Sequence, residues 1–380
     1  MIGRSREAFS AEERLARLRL ARSENVGPIT FHRLIERFGS GLEALAAMPA
    51  LARRGGRRRP LALYPQSQAE DELAAFEAKG VALLFHGAPD YPEALAAIAD
   101  APPFLSLLGD AALPSRRCIA VVGARNASAN GRRLAETLAR DLGAGGFTVV
   151  SGLARGIDAA AHRGALESGT LAVVAGGLDV VYPPEHKDLH GEIAARGAVV
   201  SEMALGIEPQ ARHFPRRNRM ISGLSLGVLV VEAAPRSGSL ITARLALDQG
   251  REVFAVPGSP LDPRARGCNA LLRESAHLTE TAEDVLTVFD GMFRPTVDKA
   301  QPPETAPDTG FPADEQSLEP ARAAVLELLA VSPVMVDELI RRCQLSPAVV
   351  NSVLLELELA GRLQRHPGNR VSLELREAPA

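Results

Sequence analysis

Glycine, arginine and small hydroxyl residues recur in this chain wherever an apolar run stops, and that combination suits the binding of phosphate. Cys118-Ile119-Ala120-Val121-Val122 ends in Gly123-Ala124-Arg125-Asn126-Ala127-Ser128, and Phe147-Thr148-Val149-Val150 ends in Ser151-Gly152-Leu153-Ala154-Arg155-Gly156. Glycines let backbone approach an anion, and a following helix start offers amides with no intrahelical partner. Gly123, Gly152 and Gly156, together with Asn126 and Ser128, are therefore candidate phosphate contacts. Arg125 bears on which phosphate, because its side chain would crowd a dinucleotide pyrophosphate but suits a nucleic-acid backbone. Neither loop reads GxGxxG, and no GxxxxGK[ST] occurs anywhere. No cofactor and no metal are expected.

Three further stretches carry chemistry of the same kind. Tyr182-Pro183-Pro184-Glu185-His186-Lys187 holds the only lysine between Arg116 and Glu280. A lysine just inside a helix start opposes the helix dipole, and that local cost hints at a ligand. His186 reads as a surface histidine at a helix start ahead of any catalytic role. In His213-Phe214-Pro215-Arg216-Arg217-Asn218-Arg219, the arginines and Asn218 could meet phosphates and the Phe214 ring a base; a solvated charged turn is the even alternative. Ser237, Gly238 and Ser239 open a helical pattern, where they could cap the helix or hold a phosphate. Glu232 could serve as a general acid, but spacing supplies no partner base, and no Ser-His-Asp order with its nucleophile elbow is present. No enzymatic activity is expected.

Every one of these stretches touches the end of a strand pattern. Apolar runs at 118–122, 147–150, 170–175, 198–201, 226–231 and 252–256 alternate with helical patterns at about 128–142, 156–168, 186–195, 216–223 and 239–249. Such spacing predicts an α/β, Rossmann-like parallel sheet covered on both faces. In open sheets of this type the carboxyl ends of the strands bind ligands, so the candidate residues fall on one edge. The piece from Asn269 to Val288 reads as helix, strand and helix, closing the domain.

The whole chain fits this reading. Its 380 residues are 46% hydrophobic with no tryptophan, so the core must be aliphatic. No run approaches the length of a membrane helix, and the N-terminus lacks a secretory pattern. Cys118, Cys268 and Cys343 are scattered without metal or disulfide spacing, so a cytoplasmic location is expected. The net charge of −3 hides a local excess, 20 Lys plus Arg against 16 Asp plus Glu between Arg116 and Glu280.

The flanks read as separate domains. Residues 1–110 form a small helical domain with an entry segment. Asn25-Val26-Gly27-Pro28 there resembles the turn of a helix-hairpin-helix, although an ordinary helical hairpin fits equally well. Arg53, Arg54, Arg57, Arg58 and Arg59 make the densest basic cluster. Residues 111–292 form the core, 293–317 a flexible linker, and 318–380 a winged helix. The candidate recognition helix, 347–360, has two glutamates, no basic residue, and only Asn351 suited to a base edge. This winged helix is expected to contribute little to DNA binding and to act as a protein-contact or accessory module.

Taken together these blocks resemble the DprA (Smf) family of DNA-processing proteins. The resemblance is carried by Ile119-Ala120-Val121-Val122-Gly123-Ala124-Arg125, by the stretch from Val149 to His162, and by Tyr182-Pro183-Pro184. Phe214-Pro215-Arg216-Arg217-Asn218-Arg219, the stretch from Ser237 to Arg244, and Gly250 to Gly258 extend it. It spans about 90–290 and, more loosely, a sterile-alpha-motif-like N-terminal domain and a winged-helix C-terminal domain. It implies an extended Rossmann fold, a homodimer, and a bacterial protein that binds single-stranded DNA during natural transformation and helps load RecA. By motif position Arg125 matches a pocket arginine and Lys187 the pocket lysine. One departure is Glu274-Ser275-Ala276, where the family pattern reads Asp-Gly-Ala. The alternative is a hydrolase of the lysine-decarboxylase-like phosphoribohydrolase group, whose Pro-Gly-Gly-x-Gly-Thr-x-x-Glu signature is replaced here by Pro235-Arg236-Ser237-Gly238-Ser239-Leu240-Ile241-Thr242.

Overall fold

The computed structural model describes residues 8–293, 318–366 and 368–374. The expected linker lies, from residue 294 onward, outside the described residues. The described residues divide into two compact units, one spanning 71–293, the other combining 9–70 with the residues from 318 onward.

The second unit begins with helices α1 (Ala11–Arg22), α2 (Pro28–Phe38) and α3 (Gly41–Arg54). Ser10 and Ser40 cap α1 and α3 by accepting from the amides of Glu13 and Glu43, and Pro28 opens α2 where no amide is needed. The boundary between the units falls inside α4 (Gln66–Ala78).

The larger unit is a nine-stranded sheet. Its first strands, β1 (Ala82–Phe85) and β2 (Phe104–Gly109), flank the short helix α5 (Glu93–Ala96) and run antiparallel at one edge. They belong to the core sheet, whereas the sequence reading drew its boundary near residue 110. Seven parallel strands follow: β3 (Cys118–Gly123), β4 (Thr148–Ser151), β5 (Thr170–Val173), β6 (Ala198–Ser201), β7 (Gly227–Val231), β8 (Glu252–Ala255) and β9 (His277–Leu278). Helices α6 (Ala129–Ala144), α7 (Ile157–Ala165), α8 (Lys187–Arg196), α9 (His213–Leu224), α10 (Gly238–Asp248), α11 (Arg266–Arg273) and α12 (Ala282–Phe293) make the crossovers and the closing segment. The order β1-β2-β6-β5-β4-β3-β7-β8-β9 reverses direction between β3 and β7, the switch point of a Rossmann-like sheet. The central parallel strands read as mostly Val, Ile, Leu and Ala because both faces are buried, whereas the edge strand β9 is His277-Leu278 with Leu278 exposed. Val122, Val150 and Val230 enter one aliphatic layer, and Val121, Val149 and Val231 the other. Among the described residues no helix is long and apolar enough to cross a membrane.

The chain ends in a winged helix: α13 (Leu318–Leu328), α14 (Val336–Cys343) and α15 (Pro347–Leu359) beside a sheet of β10 (Val334–Met335), β11 (Leu363–His366) and β12 (Arg370–Leu373). Its candidate recognition helix α15 is buried on two sides. Val350, Val353, Leu354 and Leu357 enter the winged-helix core, while Leu355 and Leu359 pack with Leu20, Phe31, Ala44 and Met48 of the N-terminal helices. Glu356 is fully buried and takes Arg322 Nη2 at 2.6 Å, and the amide oxygen of Asn351 is buried as well. The one side chain in α15 suited to reading a base edge is thus half-buried, with its amide oxygen enclosed.

Candidate nucleic-acid interface

Two of the expected anion sites are filled by the protein itself. Ser128 caps α6, its Oγ accepting from Gly131 N at 2.9 Å and donating to Glu232 Oε1 at 2.5 Å. The Ser128 amide donates to Glu232 Oε2 at 2.9 Å. Glu232 follows β7 in the left-handed region, at φ 55°, and its carboxylate stands where a phosphate would meet the helix start. At α7 the buried Asp158 accepts from the amides of Gly152 at 3.2 Å and Ala154 at 3.3 Å. The sequence reading expected free amides at both sites; those of Ser128 and Gly131 at one, and of Gly152 and Ala154 at the other, have partners within the protein. Gly123 and Gly156 serve packing instead. A side chain at Gly123 would overlap the Val231 carbonyl oxygen, and one at Gly156 that of Ala124.

What remains open lies over β3, β4 and β5, to one side of the switch point. Arg125 is exposed, with its guanidinium carbon 5.2 Å from the Phe214 ring centroid. Tyr182, 47% exposed at the end of the loop after β5, tilts toward Phe214 with centroids 5.7 Å apart. Beneath them a shallow cavity of about 40 Å³ is lined by Arg125, Gly152, Arg155, Tyr182, Phe214 and Arg217. Cationic forks beside tilted aromatic rings can meet both a phosphate and a base face.

The support under this surface is a buried polar group. Arg217 reaches through the sheet edge to donate from Nη1 to the Val173 carbonyl oxygen at 3.0 Å. Gly152 makes that possible, since a Cβ there would collide with the guanidinium. Burial pulls Arg217 down to about 10, opposed by the charge of Asp158. Burial likewise raises Asp158, opposed chiefly by Arg217, so each stabilises the charged form of the other. Nearby, His162 Nδ1 lies 2.7 Å from Thr170 Oγ1, whose hydroxyl donates to the Val149 carbonyl oxygen. Nδ1 therefore carries the proton. Burial and then Arg217 push His162 down to about 3, so it is neutral.

The remaining candidates divide between the open surface and the scaffold. Arg155 is exposed and ion-paired with Glu185, whose own pKa the bond pulls down to about 2. Lys187 is exposed as the first residue of α8 and has no ion-pair partner among the described residues. His186 does begin that helix region, but it is buried and holds the Leu153 carbonyl oxygen at 3.0 Å; the surface reading is corrected. Asn126 is exposed beside Arg125, Asn218 is half-buried, and Arg216 is exposed with Nε 3.7 Å from Glu202. Arg219 points elsewhere. It is buried, pairs with Glu202 and donates to the Asp100 carbonyl oxygen, so it ties α9 to other segments and does not extend the open surface. Ser237 caps α10, with Oγ 2.7 Å from that of the buried Ser239, while Gly238 is exposed; none of the three lines the Arg125–Phe214 cavity. Asp158 and His162 were missed as supports, since their partners are known only in three dimensions.

Comparison with known proteins gives this arrangement a family. Residues 82–290 match the family model described as DNA recombination-mediator protein A, residues 11–75 a DprA-like N-terminal HHH domain, and residues 309–369 a DprA winged helix domain. Protein Smf of Escherichia coli K12 is 40% identical over 319 residues, covering 82% of each chain. The DNA processing protein DprA of Streptococcus pneumoniae R6 is 46% identical over 202 residues, 53% of this chain and 71% of that one. The X-ray structure of Streptococcus pneumoniae DprA superposes with TM-score 0.62 at 34% identity, over 74% of this chain and 98% of that one. A Helicobacter pylori DprA structure, described for its single-stranded DNA binding mode, superposes with TM-score 0.51 at 29% identity, over 56% of this chain and 97% of that one. From its helix-hairpin domain through its Rossmann-like core to its winged helix, the chain belongs to the DprA (Smf) family.

Proposed function

We propose that this protein binds single-stranded DNA along the carboxyl edge of β3, β4 and β5, and acts as a recombination mediator rather than as an enzyme. Arg125, Arg155, Lys187 and Arg216 meet phosphates from the side-chain level, and Phe214 with Tyr182 offers faces to bases. The observation that carries this reading is the Arg125–Phe214–Tyr182 surface. Arg125 and Tyr182 are exposed and Phe214 is half-buried between them, while the backbone anion sites beside this surface hold Glu232 and Asp158. A coenzyme phosphate would need those backbone sites; a polymer needs only a cationic track. The family resemblance adds the finer parts of the proposal: loading of RecA onto the bound strand during transformation or recombination, a homodimer, and action in the cytoplasm.

The test is a salt-titrated binding measurement on single-stranded and duplex DNA. The account expects the single strand to win in competition and affinity to fall steeply and log-linearly with salt, by about 0.7 decade per decade of salt for each phosphate neutralised. Equal affinity for duplex, or binding indifferent to salt, contradicts it. Release of free base from a nucleoside monophosphate would instead identify the hydrolase alternative.

A further inference from the structure

The helix-hairpin turn and α15 are the elements by which their two domains would ordinarily approach nucleic acid, and here they contact each other. Asn25 Nδ2 in the hairpin turn donates to the Leu359 carbonyl oxygen at 3.3 Å, at the end of α15. Behind them, Gly55 lies against the α15 backbone so tightly that a Cβ would overlap the Glu356 carbonyl oxygen. Arg362 closes the junction, its Nη1 donating to the Gly55 carbonyl oxygen at 3.2 Å.

This junction fixes the arginine-rich loop that follows α3. Arg57 pairs with Glu24 at 2.7 Å and its Nε donates to the Arg59 carbonyl oxygen at 3.1 Å. Glu24 Oε2 also accepts from Ala62 N at 3.4 Å. Two cations of the loop are thereby left facing solvent: Arg58 and Arg59 are exposed and have no ion-pair partner among the described residues. Arg53, at the end of α3, is in the same condition. Arg58 and Arg362 line a cleft of about 530 Å³ with Gly56, Leu373 and Glu374, the last its single acidic wall.

We propose that this cleft, built jointly by the N-terminal loop and the winged helix, forms with the exposed arginines of the loop a second nucleic-acid site, which takes a phosphodiester backbone through Arg58 in the cleft and through Arg53 and Arg59 outside its lining. Exposed guanidinium forks with no ion-pair partner among the described residues suit phosphate oxygens, and a backbone contact carries no base preference. The proposal rests on the reading that the core binds a single strand. Because both sites are on one chain, a strand held by the core meets the second at raised effective concentration. An acidic protein partner is the other ligand such a cleft could take. The observations favour nucleic acid because phosphate recognition here needs only the exposed forks, with no apolar anchor.

The experiment uses the full chain carrying Arg58→Ala and Arg59→Ala, with a short oligothymidylate that fills the core surface and one several times longer. Affinity for the long strand is expected to fall roughly tenfold and its salt slope by about 1.4, two contacts' worth. Affinity for the short strand stays within about twofold, and lysine at both positions restores most of the loss. No loss on the long strand overturns the proposal in favour of a protein ligand; equal loss on both lengths overturns it as a separate site. Arg125→Ala distinguishes the underlying reading: loss on both lengths upholds the core site, whereas no loss there refutes the core site whatever the loop variant does.

Discussion

The carboxyl edge of the core sheet and α15 of the winged helix are both places where fold analogy locates a nucleic-acid contact, and they are built in opposite ways. At the sheet edge the carboxylates of Glu232 and Asp158 face the backbone, and the exposed Arg125 and Tyr182 stand beside the half-buried Phe214 ring. In α15 the accessible faces have been spent on packing: Leu355 and Leu359 join the N-terminal helices, Glu356 is buried, and the Asn351 amide oxygen is enclosed. A motif states where a chain could touch DNA. Which atoms remain in water decides whether it does.

That contrast can be broken by substitution. A large effect is expected from Leu355→Ala, which removes buried atoms shared between the winged helix and the N-terminal helices. Stability measured by denaturant unfolding should fall by about 2–5 kcal/mol, with the affinity of the remaining folded protein for a strand that fills only the core surface unchanged. On the core side, Arg217→Ala leaves Asp158 buried without its cation and should cost about 3–5 kcal/mol in the same measurement. Lys187→Glu should leave the unfolding midpoint in place and reduce single-strand affinity by about 2–3 kcal/mol, the worth of a charge-assisted contact turned repulsive.

A pH titration sharpens the description of the polar support. His162 is neutral in the folded protein, with a pKa held near 3, against about 6.5 in the unfolded chain. Between those values the unfolded state binds one more proton, so stability falls as the pH drops from about 6.5 toward 3, by up to ~1.4 kcal/mol per pH unit from this group. His162→Asn should remove that part of the slope in stability curves taken between those limits. The smallest effect is expected from Asn351→Ala, with DNA affinity changed by less than about twofold, since its amide oxygen faces protein.

The parallel strands and their crossover helices were legible because an apolar run ending in glycine, repeated at regular spacing, has few other foldings. The winged helix and the acidic character of α15 were equally plain in the residues from Pro347 to Leu359. The candidate site was legible as a set of loops but not as a set of contacts. Ser128 and Glu232 are 104 residues apart and no local pattern announces that one caps the other. The same holds for Arg219, which local density placed with Arg216 and Arg217. Arg216 and Arg219 lie three residues apart on one helix face and both reach Glu202, but tertiary packing buries Arg219 there and leaves Arg216 exposed. Nor could periodicity show that β1 and β2 add to the core sheet, or that Gly55 abuts α15, because both depend on partners set by tertiary packing.

The central claim is that side-chain cations over a filled backbone cradle hold the strand. It is tested most directly by Arg125→Ala, comparing single-strand affinity across a salt series with that of the unaltered protein. The account predicts at least about a tenfold loss of affinity, a salt slope smaller by about 0.7, and an unchanged unfolding midpoint. The same affinity and the same slope in both proteins would contradict it.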